Sequence, residues 1–133
     1  HGALYNQATK DRAISNSIGT AILEFDPNLI MVGLSGSVML LVWQEMGLQV
    51  MGEAFADRTY ESDGSLRNRD LDHALITDPK KAAQQAQMIT NEGKVISFDG
   101  SDIHLNAQTI CIHSDTPNAL DIAKKVNESV NKE

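Results

Sequence analysis

Apolar residues along this chain repeat at two spacings, one typical of amphipathic helices and one of short buried strands. The helical spacing, framed by capping and stop residues, predicts four helices. They are expected at residues 8–25, 37–47, 78–93 and 116–130. Short apolar runs predict strands, and the first of them, which is wholly apolar, is expected to be covered on both faces. These are expected at residues 29–34, 48–51 and 109–112.

Turn and capping residues mark two further features of the second half. Asp78 precedes a proline at the expected first helical position, and Gly93 follows the last apolar residue of that helix. Residues 94–105 predict a hairpin, because Asp99 and Gly100 are typical of a tight turn between two strands.

The alternation of helices with short apolar strands indicates an α/β protein with a parallel sheet. Three main strands would form a small sheet with an open edge, which favours association unless another segment covers it. The chain begins with His1 and Gly2 instead of Met, and we interpret this start as a cut edge. A missing N-terminal half is the expected cover for the open sheet.

Composition fits one soluble globular domain and excludes several classes of partner. The chain has 133 residues, of which 41% are hydrophobic, and a net charge of −7 with scattered basic residues. We therefore expect no nucleic-acid partner. The sequence shows no membrane-spanning stretch and no leader, so a cytoplasmic protein is expected. The single cysteine, Cys111, excludes a disulfide framework and a cysteine metal site, and is expected in the core.

Polar side chains follow the predicted strands, where catalytic groups gather in parallel α/β folds. The loop after residues 48–51 and the turn after residues 109–112 supply Glu53, Asp57, Arg58, His113, Ser114 and Asp115. His1 and Asn6 would lie at the end of a preceding strand. The loop itself runs for about 25 residues, and a connection of that length inside a compact domain tends to be functional or disordered.

Each of these residues also has a purely structural interpretation. His113 could bond a neighbouring carbonyl group, and Asp115 could cap the last helix. Arg58 could clamp a substrate carboxylate through two parallel hydrogen bonds, or could form a surface ion pair with Asp57. The sequence leaves these alternatives open.

Three ordered stretches carry a resemblance to a known family. They read "HGALYN" from residue 1, "EAFADRTYESDGSL" from residue 53 and "ICIHSDTPNAL" from residue 110. They resemble motifs of the LamB/YcsF family, the A subunit of bacterial 5-oxoprolinase. The resemblance covers residues 1–133 and implies that they form the C-terminal half of a single (β/α) barrel domain. The N-terminal half would be absent, and this half alone is expected to be inactive.

The resemblance also implies a fold, an activity and partners. The fold would be an irregular seven-stranded (β/α) TIM-like barrel, similar to that of polysaccharide deacetylases. The activity would be ATP-dependent hydrolysis of the 5-oxo-L-proline lactam to L-glutamate, carried out together with subunits B and C. ATP is the implied cofactor, and a divalent metal ion and a homo-oligomer are left open.

Opening a lactam needs an activated water molecule or a phosphorylated amide oxygen, a general acid for the ring nitrogen and a cation for the substrate carboxylate. With the resemblance, the residues assigned to catalysis are His1, Glu53, Asp57, His113 and Asp115. Those assigned to substrate binding are Asn6, Arg58 and Tyr60, with Arg58 as the carboxylate clamp.

The chain departs from the family pattern at a few positions. Ser114 and Asn118 stand where the family usually has glycine, and Asp72 and His73 replace a usual Pro-Gly pair. Two other functions stay open: a metal-dependent amide or carbohydrate hydrolase similar to the deacetylases, and a docking module for partner subunits.

Overall fold

The computed structural model describes residues 1–131, which form five helices and five strands. The helices are α1 (Ala3–Ala8), α2 (Arg12–Phe25), α3 (Val38–Glu45), α4 (Pro79–Glu92) and α5 (Ala119–Val130). The strands are β1 (Ile30–Leu34), β2 (Gln49–Phe55), β3 (Lys94–Ile96), β4 (Asp102–His104) and β5 (Thr109–Cys111). The alternation predicted from the sequence is confirmed.

The main sheet has three strands in the order β1-β2-β5. Strands β1 and β2 are parallel. Between β2 and β5, the N–H of Gln108 donates to the carbonyl of Gly52, and the N–H of Ala56 donates to the carbonyl of Cys111. From the first bond to the second, the residue numbers increase along both strands, which is the pattern of a parallel pair. The α/β class with a parallel sheet is therefore confirmed, and within residues 1–131 the sheet does not close into a barrel.

Strands β3 and β4 form the predicted hairpin as a separate antiparallel pair. Gly100 occupies the turn with a φ of +90°, a conformation that glycine adopts without steric cost.

Residue contacts divide the chain into two units. The first unit comprises His1–Glu53 and Asn106–Thr109, and the second comprises Ala54–Leu105 and the segment that starts at Ile110. In the first unit α2 packs on α3. The indole N–H of Trp43 on α3 donates to the carbonyl of Ser15 on α2 at 2.9 Å, and both residues are buried.

The core of the second unit lies between α4 and α5. Small alanine side chains of α4 let the two helices approach closely, and branched side chains of α5 fill the space between them. The buried cluster is Ala56, Ala82, Ala83, Ala86, Ile122 and Val126. The inner face of α4 is apolar, and its residues Ala82, Ala83, Ala86 and Ile89 are all buried.

Several boundaries differ from the predictions. The first long helix begins at Arg12 and not at residue 8, because the Asp11 carboxylate accepts the N–H groups of Ala13 and Ile14 and so caps the helix there. A short extra helix, α1, precedes it. Strand β2 continues to Phe55, four residues beyond the predicted end at residue 51.

None of the helices within residues 1–131 combines the length and the apolar character needed to cross a membrane.

Candidate functional site

Asp57 lies two residues beyond the end of β2 and is fully buried. Its Oδ2 atom accepts the backbone N–H of His113 at 2.9 Å and the hydroxyl of Thr116 at 2.6 Å. Nδ1 of His113 lies 3.1 Å from Oδ1 and 3.2 Å from Oδ2. A buried carboxylate is tolerated only when its oxygens are hydrogen-bonded, and these three donors meet that requirement.

His113 lies two residues beyond the end of β5, the strand next to β2. Its ring stacks on Phe55, with the ring centroids 5.2 Å apart and the planes within 12°. An ionised carboxylate only accepts hydrogen bonds, so the tautomer that bonds an ionised Asp57 is the one with the proton on Nδ1. In that tautomer the buried Nε2 atom holds the lone pair, as in sites where a carboxylate orients an imidazole for proton transfer.

The backbone on both sides of Asp57 is fixed by polar side chains. The amide of Gln85, buried on α4, donates to the carbonyls of Phe55 at 2.7 Å and Arg58 at 2.8 Å. The hydroxyl of Tyr60 accepts the N–H of Phe55 at 2.9 Å. These three hydrogen bonds hold the backbone on both sides of Asp57 in place, so this residue does not lie in a loose loop.

Arg58 is buried. Its position therefore differs from the surface position expected for an ion pair with Asp57. Its guanidinium donates to the backbone carbonyls of Arg67 at 2.6 Å and Ala74 at 3.4 Å. Burial lowers the pKa of Arg58, nearby Arg69 lowers it further, and the charge of Asp57 acts in the opposite direction. These contacts fold the long loop onto itself, and the role of Arg58 as a substrate clamp stays a prediction.

Tyr60 and Asp115 occupy opposite environments. Tyr60 is fully buried in the second unit. The side chain of Asp115 is 66% exposed and accepts a hydrogen bond from Arg69 at 2.7 Å. This bond is the main cause that holds the pKa of the Asp115 carboxyl below its usual value. The structure does not use Asp115 to cap α5, because Asn118 takes the N-cap position.

A second constellation lies in the first unit around Glu53. The prediction placed Glu53 in a loop, but it lies within β2 and is buried. One carboxylate oxygen accepts from His1 Nε2 at 2.9 Å and from the Tyr5 hydroxyl at 2.7 Å. The rings of His1 and Tyr5 meet edge to face at 4.6 Å. Asn6 follows on α1 and is exposed.

Sequence reasoning identified Asp57, His113, His1 and Glu53 but missed Tyr5 and Thr116. Both missed residues act through a hydroxyl group on a carboxylate distant in sequence, 48 residues away for Tyr5 and 59 for Thr116. The only signal for either was its place in a motif, "HGALYN" for the tyrosine and "ICIHSDTPNAL" for the threonine.

Each unit contains one carboxylate and one imidazole that could bind a divalent metal ion. The pairs are His1 with Glu53 and Asp57 with His113, and in both the two groups bond to each other. Protein sites for such ions generally use three or more protein ligands. Neither pair by itself therefore defines a metal centre.

In parallel α/β folds ligands bind beyond the carboxyl ends of the strands, and the buried carboxylate–imidazole pair lies beyond the ends of two neighbouring strands. The family follows from comparison. The sequence model of the LamB/YcsF family matches residues 1–133, and the chain belongs to this family.

Relatives with assigned names are similar along the whole chain. The A subunit of 5-oxoprolinase from Halalkalibacterium halodurans is 45% identical over 133 residues, which cover 100% of this chain and 52% of the relative. That of Bacillus licheniformis is 45% identical over 130 residues, or 98% of this chain and 51% of the relative. The chain thus spans about half the length of these relatives.

A solved structure agrees with the fold. The crystal structure of a lactam utilization protein from Thermus thermophilus is 41% identical in sequence and superposes with a TM-score of 0.88. The match covers 98% of this chain and 51% of the other.

Proposed function

We propose that this chain supplies a proton-transfer site of 5-oxoprolinase, which opens the 5-oxo-L-proline lactam to L-glutamate in an ATP-dependent reaction with subunits B and C. The observation that carries the proposal is the Asp57–His113 pair, with Nδ1 of the imidazole 3.1 Å from a fully buried carboxylate. The substrate and the partner subunits are inferred from the relatives, which are named as the A subunit of 5-oxoprolinase. The barrel implied by the resemblance, with this chain as its C-terminal half, belongs to the same proposal.

The pair matches the proton movements of lactam opening. Phosphorylation of the amide oxygen by ATP would make the carbonyl carbon more electrophilic. His113 Nε2 takes a proton from the attacking water as the C–O bond forms, and returns it to the ring nitrogen as the C–N bond breaks. The acyl phosphate that this step leaves is hydrolysed by a second water molecule, which releases phosphate and L-glutamate. Asp57 keeps the imidazole oriented and stabilises the imidazolium that forms between these two steps.

The other assignments rank below this pair. His1 and Glu53 form a second carboxylate–imidazole pair, but the His1 side chain is 24% exposed whereas that of His113 is 9% exposed. Arg58 is less favoured as a clamp because its guanidinium bonds two backbone carbonyls. Asn6 is exposed and Tyr60 is buried, and both stay in the proposal only as substrate-binding predictions. Asp115, bonded to Arg69 at the surface, is likewise only a prediction.

The test compares Asp57→Asn and His113→Gln with matched exposed controls, Asp70→Asn and His104→Gln. Each change is made in the full-length protein, which includes the N-terminal half of the barrel. Each protein is mixed with subunits B and C, and glutamate formation and ATP hydrolysis are followed against 5-oxoproline concentration. Because general acid–base catalysis contributes about 10²–10⁴-fold, we expect kcat to fall about a hundredfold or more in the site variants, with KM little changed. The controls should keep the wild-type kcat.

Other outcomes favour the other functions. Site variants that fold normally and keep wild-type kcat contradict the proposal. Turnover by the full-length protein that is unaffected by the site variants, together with binding of this chain to subunits B and C, favours the docking role. Release of acetate from an acetylated oligosaccharide without ATP favours a hydrolase similar to the deacetylases.

A further inference from the structure

Thr116 lies between β5 and α5 and is 3% exposed. Its hydroxyl donates to Oδ2 of Asp57 at 2.6 Å, a short bond to a charged acceptor and hence a strong one. The same oxygen accepts the backbone N–H of His113. The threonine thus contacts the carboxylate that orients His113.

The hydroxyl of Thr116 is not used to start the helix that follows it. A threonine just before a helix commonly caps it by accepting a backbone N–H. Here Asn118 is the N-cap residue, and the backbone carbonyl of Thr116, not its side chain, accepts the N–H of Ala119. The side chain is therefore committed to Asp57.

We propose that Thr116 is a positioning residue for the Asp57–His113 pair, an inference that rests on the proposed function. A carboxylate can rotate about its Cβ–Cγ bond, and either oxygen can then face the imidazole. Two donors on Oδ2, the Thr116 hydroxyl and the His113 N–H, fix the carboxylate plane. The fixed plane keeps both carboxylate oxygens within reach of Nδ1 of His113, Oδ1 at 3.1 Å and Oδ2 at 3.2 Å, and holds one tautomer of the ring.

The experiment uses Thr116→Val, which keeps the branched shape and removes the hydroxyl, and Thr116→Ser, which keeps the hydroxyl. The control is Thr90→Val, which removes a hydroxyl that bonds the backbone of α4. If Thr116→Val does not fold, Thr116→Ala replaces it. Two readouts are measured: the side-chain ¹⁵N shifts of His113, which report its tautomer, and kcat and KM of the full-length protein with the same change, in the complex with subunits B and C.

We expect one tautomer, protonated at Nδ1, in the wild type, Thr116→Ser and Thr90→Val. In Thr116→Val the two ¹⁵N shifts should move towards each other as the second tautomer is populated. The kcat of this variant should fall roughly tenfold or more while KM stays unchanged, because only the geometry of the proton-transfer pair is disturbed. Thr116→Ser should restore most of the loss.

The proposal is overturned if Thr116→Val keeps both the single tautomer and the wild-type kcat. A rise in KM with unchanged kcat, or a Thr116→Ser variant as impaired as Thr116→Val, also overturns it. The tautomer is measured without turnover. Failure of the positioning role can therefore be distinguished from failure of the proposed function. If Thr116→Val disturbs the tautomer while Asp57→Asn leaves kcat intact, the positioning is right and the proposed function is wrong.

Discussion

At the scale of single residues, His73 and Asn118 adopt an uncommon backbone conformation. They are the two non-glycine residues within residues 1–131 that have positive φ angles, +62° and +66°. Both stand where the resemblance to the LamB/YcsF family predicts glycine. The left-handed conformation costs most residues about 1–2 kcal/mol, although asparagine tolerates it better than most. The structure thus gives a physical reason for the usual glycines.

We predict that Asn118→Gly is more stable than Asn118→Ala by about 1 kcal/mol. Both variants lose the amide bond to the Thr77 carbonyl, so their difference isolates the backbone conformation. The measurement is urea unfolding followed by circular dichroism. The same two changes at Asn16, inside α2, should give the opposite order, because glycine is the poorer helix former. Equal stability of the two Asn118 variants would contradict the prediction.

The residues of the candidate site were only partly predictable from the sequence. Asp57 and His113 follow two apolar runs, and strand ends are where polar groups of a parallel sheet gather, so their candidacy could be predicted. The residues that hydrogen-bond to the site could not be predicted. The bond from Thr116 to Asp57 and the bonds from Gln85 to the flanking carbonyls depend on how distant elements pack. Gln85 stands among alanines on the inner face of α4, where the pattern alone predicts no role.

At the scale of the elements, local signals and long-range packing set different boundaries. Asp78 caps α4 and Gly93 ends it at a φ of +61°, as the sequence predicted, because both signals act within one helical turn. Strand β2 was predicted too short, because Glu53 looked like a loop residue. Its burial in the strand is made tolerable by His1 and Tyr5, which lie about 50 residues earlier.

Gly52 in β2 gives a prediction about strand packing. A β-carbon at this position would lie 2.5 Å from the backbone oxygen of Asn106. That segment cannot easily move, because the Asn106 N–H donates to Ser35 Oγ and the Gln108 amide oxygen accepts the Gly52 N–H. We expect Gly52→Ala to lower the free energy of unfolding by roughly 1–3 kcal/mol.

The control for Gly52→Ala is Gly2→Ala, because a β-carbon at Gly2 meets nothing within 4 Å. Its effect on the unfolding free energy should stay within about 0.5 kcal/mol. The midpoints of urea unfolding test both variants. Similar midpoints for the two proteins would show that the contact with Asn106 is relieved at little cost.

At the scale of the whole molecule, exposed apolar side chains are unevenly distributed. Phe25, Leu29, Ile30 and Val32 are 82%, 39%, 53% and 43% exposed, and all four lie around the start of β1. Within residues 1–131, β1 is an edge strand that pairs only with β2. An apolar edge strand is a template for pairing with another chain.

We predict that Val32→Lys reduces self-association of the isolated chain, because a charge on an edge strand opposes strand pairing between molecules. Sedimentation velocity at several concentrations measures the effect. Leu120→Lys is the matched control, since Leu120 is 69% exposed but lies on α5. An equal effect of the two changes would show that exposed apolar area in general, and not the strand edge, drives association.

The bond between Trp43 and Ser15 has a practical consequence for studying the molecule. Trp43 is the single tryptophan of the chain, and it is buried between two helices of the first unit. Its fluorescence therefore reports on the unit that contains His1 and Glu53, whereas the imidazole signals of His113 report on the other. Two spectroscopic probes thus follow the two units separately in one titration, without any added label.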